Sequence, residues 1–212
     1  MSKITNHPFF LRKDVNLDIT HRCALECPSC MRQLNFTNFG KTVPGQDISE
    51  EDWQKVLDHM DSIGFEGTYS DPVHHPRFIQ ILKDCYDRDI EVSVHNASSV
   101  KNLNWYIKAW RANPNAKWFF GIDGLPRDSH IYRINQDGIK LFNIMKKAAK
   151  YLNFKPTWQY IIFKYNENDI DEAISLAKSI KVNFFTMKSS RWIGDKDPYM
   201  PTNKQNRIIF EK

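Results

Sequence analysis

The chain has 212 residues, of which 41% are hydrophobic and 26% charged, and its formal net charge is +5. This length suits one domain, or at most two small ones, with enough apolar material for a sizeable core, and no run of about 18 apolar residues is present to cross a bilayer. The positive charge is spread along the chain, which reads as a solvated surface and gives no nucleic-acid footprint. The stretch MSKITNHPFFLRKD has no long apolar core before a small-residue cleavage site, so no secretion signal is expected. A cytoplasmic protein keeps its thiols reduced, and clustered cysteines there point to metal before disulfides.

In chain order, VNLDI (15–19) places Val15, Leu17 and Ile19 on one face and predicts a strand. SEEDWQKVLDHMDSIG predicts a helix. Ser49 and Asp52 form a capping box, Trp53, Val56, Leu57, Met60 and Ile63 form an apolar stripe, and Gly64 is the expected stop. FEGTY is the expected second strand. A helix follows, with Pro76 near its start and Phe78, Ile79, Leu82 and Tyr86 facing inward. IEVSV predicts a third strand and LNWYIKAWRA the helix after it. KWFFGI is a fourth strand, followed by a helix from about Asp137 to Leu152. TWQYIIFK is a fifth, followed by a helix capped at Asn168 and ending near Ile180. VNFFTM is a sixth, and after Trp192 the chain turns polar and irregular.

Such alternation implies right-handed crossovers and a mostly parallel sheet. Six strands fit an open doubly wound sheet or an incomplete barrel, whereas a complete eight-stranded barrel usually needs about 250 residues. Both architectures do their chemistry at the carboxyl ends of the strands. The unusual residues collect there: Cys23, Cys27 and Cys30 after the first strand, Ser70 and Asp71 after the second, Asn96 after the third, Asp123 after the fourth.

HRCALECPSC holds three of the four cysteines, spaced C-x3-C-x2-C. Three thiolates can hold three irons of a cubane cluster and leave the fourth iron open to a small chelating molecule. A zinc knot using His21 or Cys85 as a fourth ligand, in a non-enzymatic zinc- or iron–sulfur-binding module, is the competing reading. Cys85 itself lies on the stripe of Phe78, Ile81 and Leu82 and reads as core. Trp105, Trp110 and Trp118 read as core as well, and His74 and His75 as loop or capping residues.

The cysteine loop after the first strand, TYSDPVHHP after the second, HNASS after the third and GIDGLPRDSHIYR around the fourth together resemble the radical S-adenosylmethionine (radical SAM) superfamily over roughly residues 14 to 190. The resemblance implies an α/β fold, a partial (β/α)6 TIM-like barrel of mostly parallel strands, with a core domain at 1–192 and a tail at 193–212 that could act as a lid. It implies a 4Fe–4S cluster on Cys23, Cys27 and Cys30, with S-adenosylmethionine (SAM) on the open iron. Ser70, Asp71, Asn96, Asp123 and Arg133 are the implied SAM-binding residues, with Arg133 suited to the SAM carboxylate. Gln159 and Asn166 also match.

The implied reaction is reductive cleavage of SAM to a 5′-deoxyadenosyl radical that takes hydrogen from a substrate. A peptide or protein side chain is favoured slightly over a small metabolite or nucleotide, and flavodoxin or ferredoxin is the implied reducing partner. Ser29 stands where an aromatic residue is common, Tyr69 and Ser70 stand for small glycines, and Gly121 stands where a serine often assists. No cysteine follows Cys85, so no auxiliary cluster is expected.

Overall fold

Six parallel strands pair strictly in chain order in the computed structural model, which describes residues 13–41, 46–189, 192 and 196–208. The elements are β1 (Asp14–Asn16), α1 (Met31–Phe39), α2 (Glu50–His59), β2 (Ser62–Phe65), α3 (Phe78–Asp87), β3 (Glu91–Asn96), α4 (Leu103–Ala112), β4 (Lys117–Gly121), α5 (Gly138–Ala148), β5 (Thr157–Ile161), α6 (Ile170–Ser179) and β6 (Asn183–Met187). A doubly wound sheet reverses its strand order at a switch point, and this one does not. Consecutive right-handed crossovers therefore place the helices on one face, so the sheet is an open, partial (β/α)6 barrel with β1 and β6 as its edges.

The pleat sorts side chains between the two faces. Val92, Val94, Trp118, Phe120, Trp158 and Tyr160 point toward the helices and are buried with Trp53, Phe78, Leu82, Tyr106 and Trp110 in one large core. Cys85, Trp110 and Trp118 lie fully inside it and Trp105 packs against it, as the sequence predicts. Their neighbours Ser93, His95, Phe119, Gln159 and Ile161 are only partly covered and line the concave face. Ser49, Asn102 and Asp137 accept the Asp52, Trp105 and Lys140 amides at 3.0, 3.0 and 2.9 Å, caps worth about 1 kcal/mol each.

Several boundaries differ from expectation. α2 ends at His59, with Met60 as its C-cap; Gly64 is no helix stop but lies in β2, and FEGTY contributes only Phe65 to that strand. Ile63 continues the helical stripe in sequence, yet with Phe65 it also alternates as a buried strand, and the strand pairing prevails. Gly67, at φ 62, ends the extended run. Tyr86 points outward, 46% exposed. α6 begins at Ile170 with Asp169 at its N-cap, so Asn168 is no cap. α1 follows the cysteine loop where no helix is foreseen.

Part of the tail lies outside the described residues. Its residues 196–208 pack on the loop after β5: the Lys164 amide donates to the Tyr199 carbonyl at 2.9 Å, and Glu167 accepts the Thr202 and Asn203 amides at 2.8 and 3.0 Å. Tyr199 meets Tyr132 and Phe163 edge-on, at 5.1 and 6.2 Å between ring centroids.

Candidate active site

The three cysteines follow β1 in one loop and are free thiols. With Leu25, Tyr132 and Phe163 they form a second, smaller apolar cluster at the carboxyl ends of the strands. Each faces a different neighbour. Cys23 lies near Asp71, Cys27 near Arg133 and Asp123, and Cys30 has its sulfur 4.0 Å from the Thr68 carbonyl oxygen. Burial pushes the Cys23 thiol up to about 12, and the Asp71 charge adds to the rise. Burial likewise pushes Cys27 up to about 11, against the pull of the Arg133 guanidinium.

Thiols so placed become thiolates only when a metal supplies compensating charge, and soft sulfur donors suit iron–sulfur chemistry. Among the described residues no three His, Cys, Asp or Glu side chains stand close enough to share one ion. A cubane makes no such demand, because each thiolate binds a different iron. The loop therefore fits a cluster.

Polar side chains tie the surrounding loops together. Asp18, after β1, accepts the Thr68 and Tyr69 amides at 3.1 and 3.3 Å and the Ser70 hydroxyl at 2.6 Å. Asp71 is buried and accepts the Ala97 and Ser98 amides at 2.8 and 2.7 Å and Asn96 Nδ2 at 3.1 Å. Asn96 in turn accepts the Tyr106 hydroxyl. The Asp71 amide donates to the Arg22 carbonyl at 3.0 Å, which joins the cysteine loop to the turn after β2. His74 extends the tie: its Nε2 accepts the Ala24 amide at 3.3 Å and lies 2.9 Å from the Ser98 hydroxyl, and burial lowers its pKa in keeping with a neutral ring.

The side chains of Ser70, Asp71 and Asn96 are thus engaged within the protein and shape the loops around the thiols. Gln136 bridges the Ala97 and Gly121 carbonyls at 2.6 and 2.8 Å. Asn166 holds the turn after β5, accepting the Phe163 amide at 2.7 Å and donating to the Ile161 carbonyl at 3.0 Å.

Arg133 lies over the end of β4 with Nε 2.7 Å from Asp123 Oδ2, an ion-pair contact rather than an aligned hydrogen bond, while Asp123 Oδ1 accepts the Ile161 amide at 2.7 Å. Burial pushes the Asp123 carboxyl up; Arg133 and the Ile161 amide pull it back toward the ionised form. Burial also opposes charge on Arg133, but Asp123 and Cys27 more than offset it, and the guanidinium stays cationic. A Cβ at position 121 would come within 2.8 Å of Arg133 Nη2, so a serine there would require the guanidinium to move. Ser29 is buried and bonded to Tyr132, so it presents no surface to a base.

The sequence singled out the three cysteines, Ser70, Asp71, Asn96, Asp123, Arg133 and Asn166; it did not single out Asp18, Leu25, Tyr106, Tyr132, Gln136, Phe163 or His95. His95 stacks on Phe119 (4.3 Å, 5°) and donates Nδ1–H to Gln159 Oε1 at 3.0 Å on the concave face, where burial lowers its pKa. Its signal was the alternation in EVSVHN, which sets Ser93 and His95 opposite buried Val92 and Val94.

No family model matches the chain. It is 30% identical over 88 residues to PqqA peptide cyclase of Bradyrhizobium diazoefficiens, covering 39% of this chain and 21% of the cyclase. The fold superposes on Streptococcus suis SuiB with a TM-score of 0.70 at 12% identity, over 91% of this chain and 43% of SuiB. SuiB has been solved with S-adenosylmethionine and with its precursor peptide SuiA. It also superposes on anSMEcpe with bound AdoMet, with a TM-score of 0.66 at 13% identity, over 88% of this chain and 53% of the other. These neighbours are radical SAM enzymes, and the fold of this chain is theirs. The chain spans about a fifth of the cyclase's length and under half of SuiB's.

Proposed function

We propose that the protein is a cytoplasmic radical SAM enzyme acting on a peptide or protein side chain. The observation that carries this reading is the trio Cys23, Cys27 and Cys30 in one loop at the carboxyl ends of a partial (β/α)6 barrel, gathered in one apolar cluster with Leu25, Tyr132 and Phe163. Cys23, Cys27 and Cys30 are the ligands of a 4Fe–4S cluster. When bound, the cluster and SAM supply a 5′-deoxyadenosyl radical by reductive cleavage.

The chain's own residues bind, orient and shield. Arg133, held by Asp123 beside Cys27, offers its outer guanidinium nitrogens to the SAM carboxylate. Ser70 presents the turn after β2, while Asp71 and Asn96 keep the loops after β2 and β3 at fixed spacing. Leu25, Tyr132 and Phe163 keep water from the thiols. The substrate enters over the concave face, where His95, Phe119 and Gln159 meet it. A peptide is supported by the names of the similar proteins, a peptide cyclase and a SuiB solved with its precursor peptide. The core spans 1–192, and the tail at 193–212 closes over it.

Anaerobic reconstitution with iron and sulfide tests this reading. About four irons per chain, with an electron paramagnetic resonance spectrum of the reduced cluster that changes on adding SAM, is the expected result. One tightly bound zinc and no such spectrum contradicts it.

A further inference from the structure

His95 stands on the concave face with one ring nitrogen uncommitted, and Gln159 settles which one. Gln159 Nε2 lies 2.9 Å from Met187 Sδ, which can only accept, so Oε1 is the atom turned to His95 Nδ1 at 3.0 Å and Nδ1 carries the proton. Burial lowers the pKa of the ring against the Gln159 bond and the Glu66 charge, in keeping with a neutral imidazole. Nε2 is then a lone-pair acceptor with no partner among the described residues, and the parallel stack on Phe119 holds the ring in place.

Glu66 stands beside it. Phe65 pairs with Val94, so the residue after β2 falls alongside His95. Ile63 and Phe65 turn to the helix side, which leaves Gly64 and Glu66 facing inward, and a Cβ on Gly64 would meet Ser93 Oγ at 3.3 Å on that same face. Glu66 is exposed and makes no hydrogen bond or ion pair among the described residues. The chain carries a formal net charge of +5, yet toward the carboxyl ends of the strands the charged inward positions are Asp18, Glu66 and Asp123, all negative. Asp18 is occupied by the turn at 68–70 and Asp123 by Arg133, so Glu66 is the uncommitted one.

From this we infer that His95 and Glu66 set the specificity of the site: the peptide side chain seated beside them is a cationic hydrogen-bond donor, that of a basic residue. The inference rests on the peptide reading above and deepens it. A basic side chain gives His95 Nε2 the donor it lacks and brings Glu66 an opposite charge. A carboxylate would meet a lone pair and a like charge, and an alkyl chain would leave the acceptor without a bond, so both are selected against.

The test uses the reconstituted full-length chain with nitrogen-labelled histidine and a set of N-acetylated, C-amidated tripeptides: Ala-Lys-Ala, Ala-norleucine-Ala and Ala-Glu-Ala. By nuclear magnetic resonance, His95 Nε2 should show the shift of an unprotonated acceptor and move on titration with the lysine peptide. That peptide should bind about tenfold more tightly than the other two. Glu66→Gln should lower its affinity by about threefold, as suits an exposed charge, and His95→Phe by about tenfold. Glu172→Gln, on the exposed side of α6, should have no effect. Equal binding of the lysine and norleucine peptides overturns the selection, and lysine binding indifferent to both Glu66→Gln and His95→Phe overturns its place in the fold. Either result leaves deoxyadenosine formation from SAM intact. A parent chain with its full iron that releases no deoxyadenosine brings down the radical SAM reading instead, and a lysine-induced His95 shift in that chain supports the basic-side-chain site without it.

Discussion

Arg133 and Asp123 form a buried ion pair, Nε to Oδ2 at 2.7 Å, immediately beside Cys27 at the end of β4. Removing the guanidinium alone strands a carboxylate that is fully buried, a loss that typically costs about 3–5 kcal/mol. Arg133→Ala should therefore lower stability in urea by about 3 kcal/mol as well as weaken SAM, and Arg133→Ala/Asp123→Ala should recover most of the stability but none of the SAM affinity. Equal stability of the parent and the single variant in urea melts contradicts the pair.

Gly121→Ser tests the same contact from below. An added Cβ meets Arg133 Nη2 at 2.8 Å, so the side chain must shift off its partner, with an expected loss of about 1–3 kcal/mol. Unchanged melting together with unchanged SAM affinity shows that Arg133 is not held where the structure puts it.

Asp71 secures the segment after β3 through the Ala97 and Ser98 amides. In Asp71→Ala both amides lose their acceptor inside the protein, at about 1–3 kcal/mol each. Hydrogen exchange of Ala97 and Ser98 should quicken by one to two orders of magnitude while the amides of β4 stay protected. Uniform quickening across the sheet contradicts a local brace.

Glu167 ties down the tail. Burial raises its carboxyl pKa, but the Asn203 and Thr202 amides and the Asn206 side chain more than offset this, so the folded value lies below the ordinary one. A carboxyl depressed on folding contributes stability above the ordinary carboxylate range, and that contribution is lost as pH falls through the folded value. The tail should resist proteolysis at neutral pH and become cleavable once the pH has fallen below the ordinary carboxylate range, before the barrel unfolds. Glu167→Gln should loosen the tail already at neutral pH, and a tail equally protected in that variant contradicts the tie.

The strand–helix alternation and the cysteine loop were legible because period and spacing are local signals. LNWYIKAWRA proved to be α4 residue for residue, since Asn102 caps it and Asn113 ends it. What escaped was decided by partners distant in sequence. Ile63 fits a helical stripe and a strand equally well, and pairing with Val92 decides between them. Asp18 is unremarkable in VNLDI until the turn at 68–70 folds onto it, 50 residues later. α1 carries no apolar stripe facing the core, so periodicity had nothing to report. Asp71 and Asn96 were expected to face a ligand; chain order alone does not reveal that each finds its partners on the neighbouring loop.

The cluster assignment separates Cys27 from Cys85, which are both buried but lie in different parts of the fold: Cys27 in the loop cluster with Tyr132 and Phe163, Cys85 in the main core on α3. The decisive measurement is 5′-deoxyadenosine released from SAM by anaerobically reconstituted, dithionite-reduced protein. The parent and Cys85→Ala should both form it, slowly in the absence of substrate, while Cys27→Ala forms none. Deoxyadenosine from Cys27→Ala at the parent rate, or its absence from a parent chain that has taken up its full complement of iron, contradicts the assignment.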